Sequence, residues 1–187
     1  PYNNEAALGL ISRHAEELAM VFIEPVQGSN PQEDIGPFLQ KLRSVCSEQN
    51  ILLGFDEIIT GGRLSLAGGK DFFNVSPDIS TYGKIYGGGL PLGLVAGTDA
   101  VMNCIRAKNP VFLGGTFSAN PLSLAAGATT LSILKSEPEI YETLDNAGNR
   151  IADELNDFCL ARGIDGQVSR CSSMFRFIFT SKNVTDR

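Results

Sequence analysis

The chain has 187 residues, enough for one domain with a real core, and its 43% apolar and 19% charged residues are the balance of a folded, globular protein. A formal net charge of −6 is spread along the sequence without an acidic or basic block, which argues against the clustered Lys and Arg of a nucleic-acid footprint. No apolar run approaches the roughly 20 residues that a helix needs to cross a bilayer.

In chain order, residues 5–19 predict an amphipathic helix with Leu8, Ile11, Ala15, Leu18 and Ala19 on one face. "MVFIEPV" follows as a short apolar run of the buried-strand type, closed by the turn chemistry of "PVQGSNP". Residues 37–49 carry Phe38, Leu42, Val45 and Cys46 at helical spacing, and "ILLGFDEII" predicts a second buried strand ending in Asp56 and Glu57. "SPDISTYG" and "LGLVAG" predict a third and a fourth strand. "NPLSLAAGATTLSIL" predicts a helix with proline in its first turn. A long helix over about 138–162 comes next, and "SSMFRFIFTS" alternates like a strand running to the chain end. Buried strands alternating with helices imply an α/β fold with a mainly parallel sheet. Ligands in such sheets bind beyond the carboxyl ends of the strands, where Asp56 and Lys84 both fall.

Cys46, Cys104, Cys159 and Cys171 form no C-x-x-C pair, and His14 is the single histidine. The residues therefore offer no zinc set and no Cys–His nucleophile, so no metal is expected. Four reduced thiols in a reducing, cytoplasmic compartment are expected instead. His14 reads as a helix-surface residue.

Three places carry possible chemistry. Asp56 ends an apolar strand, where a carboxylate is costly to bury without a positive partner. A helix cap or a salt bridge to Arg63 explains it about as well as a counter-charge to a protonated heteroaromatic nitrogen. Lys84, in "TYGKIYGGG", leaves a strand for a glycine-rich loop; a desolvated amine there becomes a nucleophile toward carbonyls. In "FLGGTFSANP", Gly115 and Thr116 present N–H and O–H donors suited to a phosphate, or form a simple turn and cap. The glycines at 87–89 match neither the G-x-G-x-x-G nor the P-loop spacing, which disfavours a nucleotide-binding module.

The ordered set "IEPVQG", "FDEIITGGR", "PDISTYGKIYGGGLPLG" and "GGTFSANPLSLAAG" resembles the class III, fold-type I aminotransferases that use pyridoxal 5'-phosphate, and most closely their glutamate-1-semialdehyde aminomutase branch. The resemblance runs over nearly the whole chain. It implies a three-layer, pyridoxal-phosphate-transferase-like large domain over residues 1–135. Residues 136–187 would be a connecting helix and the start of a C-terminal α+β small domain. It implies amino-group transfer on a small amino or keto substrate, with 5-aminolevulinate formation as the first reading and intermolecular transamination as the alternative. Lys84 would form the Schiff base with the cofactor and then move protons. Asp56 would pair with the pyridinium nitrogen, Ile58 would pack on one ring face, and Thr116, with Gly115, would hold the phosphate of the neighbouring subunit in a homodimer. Glu24 lies in the matched "EPV" motif near the site, and Ser29 stands where many relatives have an asparagine that contacts the cofactor. Family members are more than twice as long. The chain is therefore expected to be a fragment that, alone, binds cofactor weakly, does not turn over, and tends to associate. Intact Asp56, Lys84 and Thr116 speak against a degenerate scaffold subunit.

Overall fold

A computed structural model describes residues 3–182. Helix α1 spans Glu5–Arg13 and is capped by the Asn4 side chain, which accepts from Ala6 N at 2.9 Å. It is shorter than the predicted 5–19. The backbone leaves helical angles at His14 and continues as a 3-10 turn over Ala15–Glu17, because the chain must turn to enter β1 (Met20–Ile23).

Strands β1, β2 (Leu52–Glu57) and β3 (Ile79–Tyr82) are parallel neighbours in that order, and β4 (Leu94–Gly97) lies antiparallel on β3. The link from Tyr82 to Leu94 is too short for a helical crossover, so the fourth strand reverses direction. Helix α2 (Gly36–Glu48) connects β1 to β2 and buries Phe38, Leu39, Leu42 and Cys46. These pack with Val26, Ile35, Ile51, Leu53 and Phe55 in one core. The strands predicted to be buried are so on one face only. Leu53 and Phe55 are fully buried, while Met20, Phe22 and Leu52 on the opposite face are 38–46% exposed.

Two short helices, α3 (Gly69–Phe72) and α4 (Asp99–Met102), precede α5 (Pro121–Ser136) and α6 (Glu139–Arg162). Asn120 caps α5 by accepting from Leu122 N and Ser123 N, and Gly163 ends α6 in the left-handed region at φ +63. The final strand, β6 (Met174–Ile178), pairs with β5 (Gln167–Cys171), whose mixed "QVSRC" pattern carries no strand signal. β6 ends at Ile178 instead of running to the chain end, and residues 183–187 lie outside the described residues. This hairpin docks on the core through buried Cys171 and Met174. Arg170 clamps it, pairing with Glu33 at 3.0 Å and with Asp145 of α6 at 2.8 Å. All four cysteines are free, three of them buried and Cys104 exposed. Among the described residues no helix is long and apolar enough to cross a membrane.

Asp78 fixes the entry to β3. Its Oδ2 accepts from Arg43 of α2 and from Leu53 N of β2, each at 2.7 Å. Burial alone would raise this carboxyl, but the guanidinium and the Leu53 N–H outweigh burial and hold it below 3.8. A depressed carboxyl contributes stability that is complete above 3.8 and lost as pH falls through its lowered value. Asp78→Ala is therefore expected to cost about 1–3 kcal/mol in urea unfolding at neutral pH, a gap that narrows in acid. A gap that is the same at pH 7 and in strong acid would contradict the assignment.

Candidate active site

The register of β2 on β3 sets Asp56 opposite Thr81 and Glu57 opposite Tyr82, so the two strands end together. Lys84 follows two residues later. Alternation along β2 sends Leu53, Phe55 and Glu57 into the core and leaves Asp56 and Ile58 on the other side, half-buried and exposed respectively. Asp56 Oδ1 accepts from Ile58 N at 3.0 Å and from Thr81 Oγ1 at 3.4 Å. Among the described residues Oδ2 takes no hydrogen bond, and no ion pair joins Asp56 to Arg63, so the salt-bridge alternative is not what forms. Ile58 lies against Gly83, where an added Cβ would sit 3.6 Å from Ile58 Cγ2. Lys84, with φ +46, opens a 3-10 turn over Lys84–Gly87 and lines an open cavity of about 600 Å³ with Gly89, Leu90, Pro91 and Leu92. Asp56 and Ile58 thus stand at the carboxyl end of β2, and Lys84, exposed rather than desolvated, follows the carboxyl end of the neighbouring β3.

Glu57 anchors that rim from behind, a role that sequence reasoning missed. It is fully buried, and its carboxylate accepts from Thr60 Oγ1, from Gly69 N at 2.8 Å and from Lys70 N at 2.9 Å. Burial pushes the carboxyl above its ordinary value against the pull of these three donors. Gly68, at φ +80, must be glycine, since a Cβ there would lie 2.2 Å from Glu57 Oε2. The period-2 pattern of β2 put Glu57 on the core face, which was the available signal.

The other predicted residues lie elsewhere. Glu24 Oε2 accepts from Gly28 N at 3.2 Å, closing the turn after β1, and that turn packs on Ile59, one residue beyond Ile58. The Ser29 carbonyl accepts from Arg176 of β6 at 2.6 Å. Gly115 accepts from Ser118 N at 3.0 Å in the turn before α5, and Thr116 beside it is exposed. Among the described residues no hydrogen bond ties Gly115 or Thr116 to Asp56 or Lys84. Asp56, Ile58 and Lys84 follow the paired ends of β2 and β3, whereas Gly115 and Thr116 lie on an exposed turn before α5.

The family model for Aminotransferase class-III matches residues 3–180. The chain belongs to the class-III aminotransferases. Among its curated relatives is glutamate-1-semialdehyde 2,1-aminomutase 2 of Lachnoclostridium phytofermentans. It is 37% identical over 190 residues, which cover 99% of this chain and 44% of the relative. An omega-transaminase from Sphaerobacter thermophilus superposes with a TM-score of 0.89 at 32% identity, over 98% of this chain and 42% of that one. A transaminase with PLP bound superposes with a TM-score of 0.85 at 28% identity, over 97% and 43% of the two chains. The chain thus spans less than half the length of the class-III relatives it matches.

Proposed function

We propose that this chain carries the lysine and the acidic residue of a pyridoxal 5'-phosphate-dependent amino-transfer site. The observation that supports the reading is the register that ends β2 and β3 together, with Asp56 and Ile58 at one strand end and Lys84 just past the other. The donor set fits the cofactor. Asp56 has one oxygen fixed by the backbone and the other open to a ring N–H, and the rim beside Lys84 is glycine-rich and uncrowded. When bound, pyridoxal phosphate supplies an aldehyde carbon for amine exchange and a ring that withdraws electrons from the substrate carbon. Lys84 Nζ would hold the aldehyde carbon and later take up and return the proton on the substrate carbon. Asp56 would keep the ring nitrogen protonated, and Ile58 would cover one ring face. Glu24 and Ser29 would act through the turn after β1, with no direct contact assigned to them.

Gly115 and Thr116 would serve the phosphate of a second copy in a homodimer. In support, they lie between Phe112 and Phe117, which are 88% and 79% exposed and suit a covered surface. The division into a cofactor-binding part, residues 1–135, and a connecting helix with the start of a small domain, residues 136–187, belongs to the same reading. The isolated chain is expected to bind cofactor weakly and not to turn over.

Similarity to the aminomutases supports return of the amino group to the neighbouring carbon of glutamate-1-semialdehyde. The likeness to transaminases of known structure supports a second reading, transfer to a separate keto acid. A family-length polypeptide containing this chain, assayed with glutamate-1-semialdehyde alone and with added keto acid, separates them. Product formation without keto acid is the result expected. An absolute requirement for keto acid would favour transamination, and no reaction under either condition would overturn both.

A further inference from the structure

Lys84 is a residue with a Cβ held in left-handed backbone, at φ +46. Such a conformation is unfavourable and persists only where the surroundings over-determine it. Here the surroundings are two tyrosines. Tyr82 and Tyr86, two residues before and two after Lys84, stack with centroids 4.6 Å apart and planes 18° from parallel. Tyr86 Oη donates to the Leu66 carbonyl at 2.7 Å. A Cβ on Gly61 would lie 2.6 Å from Tyr82 Cδ1, so both side chains are seated on the loop over 61–66. From the other direction the Tyr86 carbonyl rests on α5, where a Cβ on Gly127 would come within 2.3 Å of it. The turn is gripped between that loop and that helix. Lys84 lines the open cavity, whereas Tyr82 lines a different one, of about 370 Å³, with Lys70 and Ser80.

We propose that Tyr86 is a positioning residue for Lys84: stacked on Tyr82 and hydrogen-bonded to Leu66, it holds the Lys84 backbone left-handed and so aims the amine into the open cavity. Released from this grip, Lys84 relaxes toward right-handed or extended backbone, and its side chain leaves the open cavity. The consequence for cofactor capture rests on the reading of Lys84 given above; the backbone effect does not.

Two measurements on the chain test this. Carbon-13 shifts of selectively labelled lysine distinguish left- from right-handed backbone at Lys84 without any cofactor. Wild type is expected to be left-handed, Tyr86→Ala to average toward the ordinary regions, and Tyr86→Phe to lie between. Pyridoxal phosphate followed by borohydride then reports how fast Lys84 is captured. Tyr86→Phe is expected to slow capture about threefold through the lost hydrogen bond. Tyr86→Ala is expected to slow it about tenfold through the lost stack as well. Labelling of exposed Lys108 is expected to be the same in wild type and both variants. Wild-type shifts and capture rate in Tyr86→Ala overturn the proposal. If Tyr86→Ala fails to fold, wild-type values in Tyr86→Phe overturn it equally. Absence of any Lys84 label in the wild-type chain overturns the functional reading alone, because the carbon shifts still decide the positioning.

Discussion

Lys84→Ala is expected to remove the main borohydride-fixed cofactor label, leaving only that on exposed lysines such as Lys108, and, in a family-length polypeptide, to lower amino transfer on the order of 10⁴-fold or more. The size of the effect follows from the double duty of one nitrogen, which would both anchor the cofactor and move the substrate proton. Two other lysines are engaged elsewhere. Lys41 pairs with Glu5 of α1, and Lys70 lines the separate cavity beside Tyr82. Lys84→Arg restores the charge without a nucleophile, so it should be as inactive as alanine. Peptide mass mapping of the reduced protein is the direct measurement. A total label that stays at wild-type level in Lys84→Ala, or a wild-type label no stronger at Lys84 than at exposed Lys108, would remove the basis for the proposed function.

Replacing Glu57 should do the most damage to the fold. Glu57→Ala leaves the Thr60 hydroxyl and the Gly69 and Lys70 N–H groups facing a space from which water is excluded, at a cost of about 3–5 kcal/mol. Glu57→Gln keeps the shape and one acceptor oxygen and should lose much less. The two variants also differ from wild type in pH dependence. The buried carboxyl holds its proton to higher pH than an unfolded one, so between 4.5 and its raised value the native state binds more protons than the unfolded state. Wild-type stability therefore falls as pH rises through that window, and Glu57→Gln lacks this slope. Denaturant midpoints across pH 4 to 8 report both effects. An alanine variant within about 0.5 kcal/mol of wild type would show that the donors find water, and that Glu57 does not brace the rim.

Glu57 also illustrates how unevenly the sequence speaks. The alternation along "LLGFDEII" determines that Asp56 and Ile58 share a face and that Glu57 opposes them. It does not reveal that the loop over 60–70 folds back to supply three donors. Tyr82 and Tyr86 read as ordinary neighbours of Lys84 until the 3-10 turn brings their rings together. His14 ended α1 early for a reason outside its own helical pattern, the need to reach β1 at the right register.

The order of β1–β4, α5 and α6 and the parity of residues along β2 could be read directly, because each depends on periodicities of two or 3.6 residues within a short window. Folding alone decided which distant groups meet. The Ser169 hydroxyl of β5 reaches Asn30 across 139 positions at 3.2 Å, and Cys171 and Met174 enter the core built by α2. Such contacts depend on strand register and on loops closing over long stretches of chain, and neither leaves a repeating local signature in the amino acids themselves.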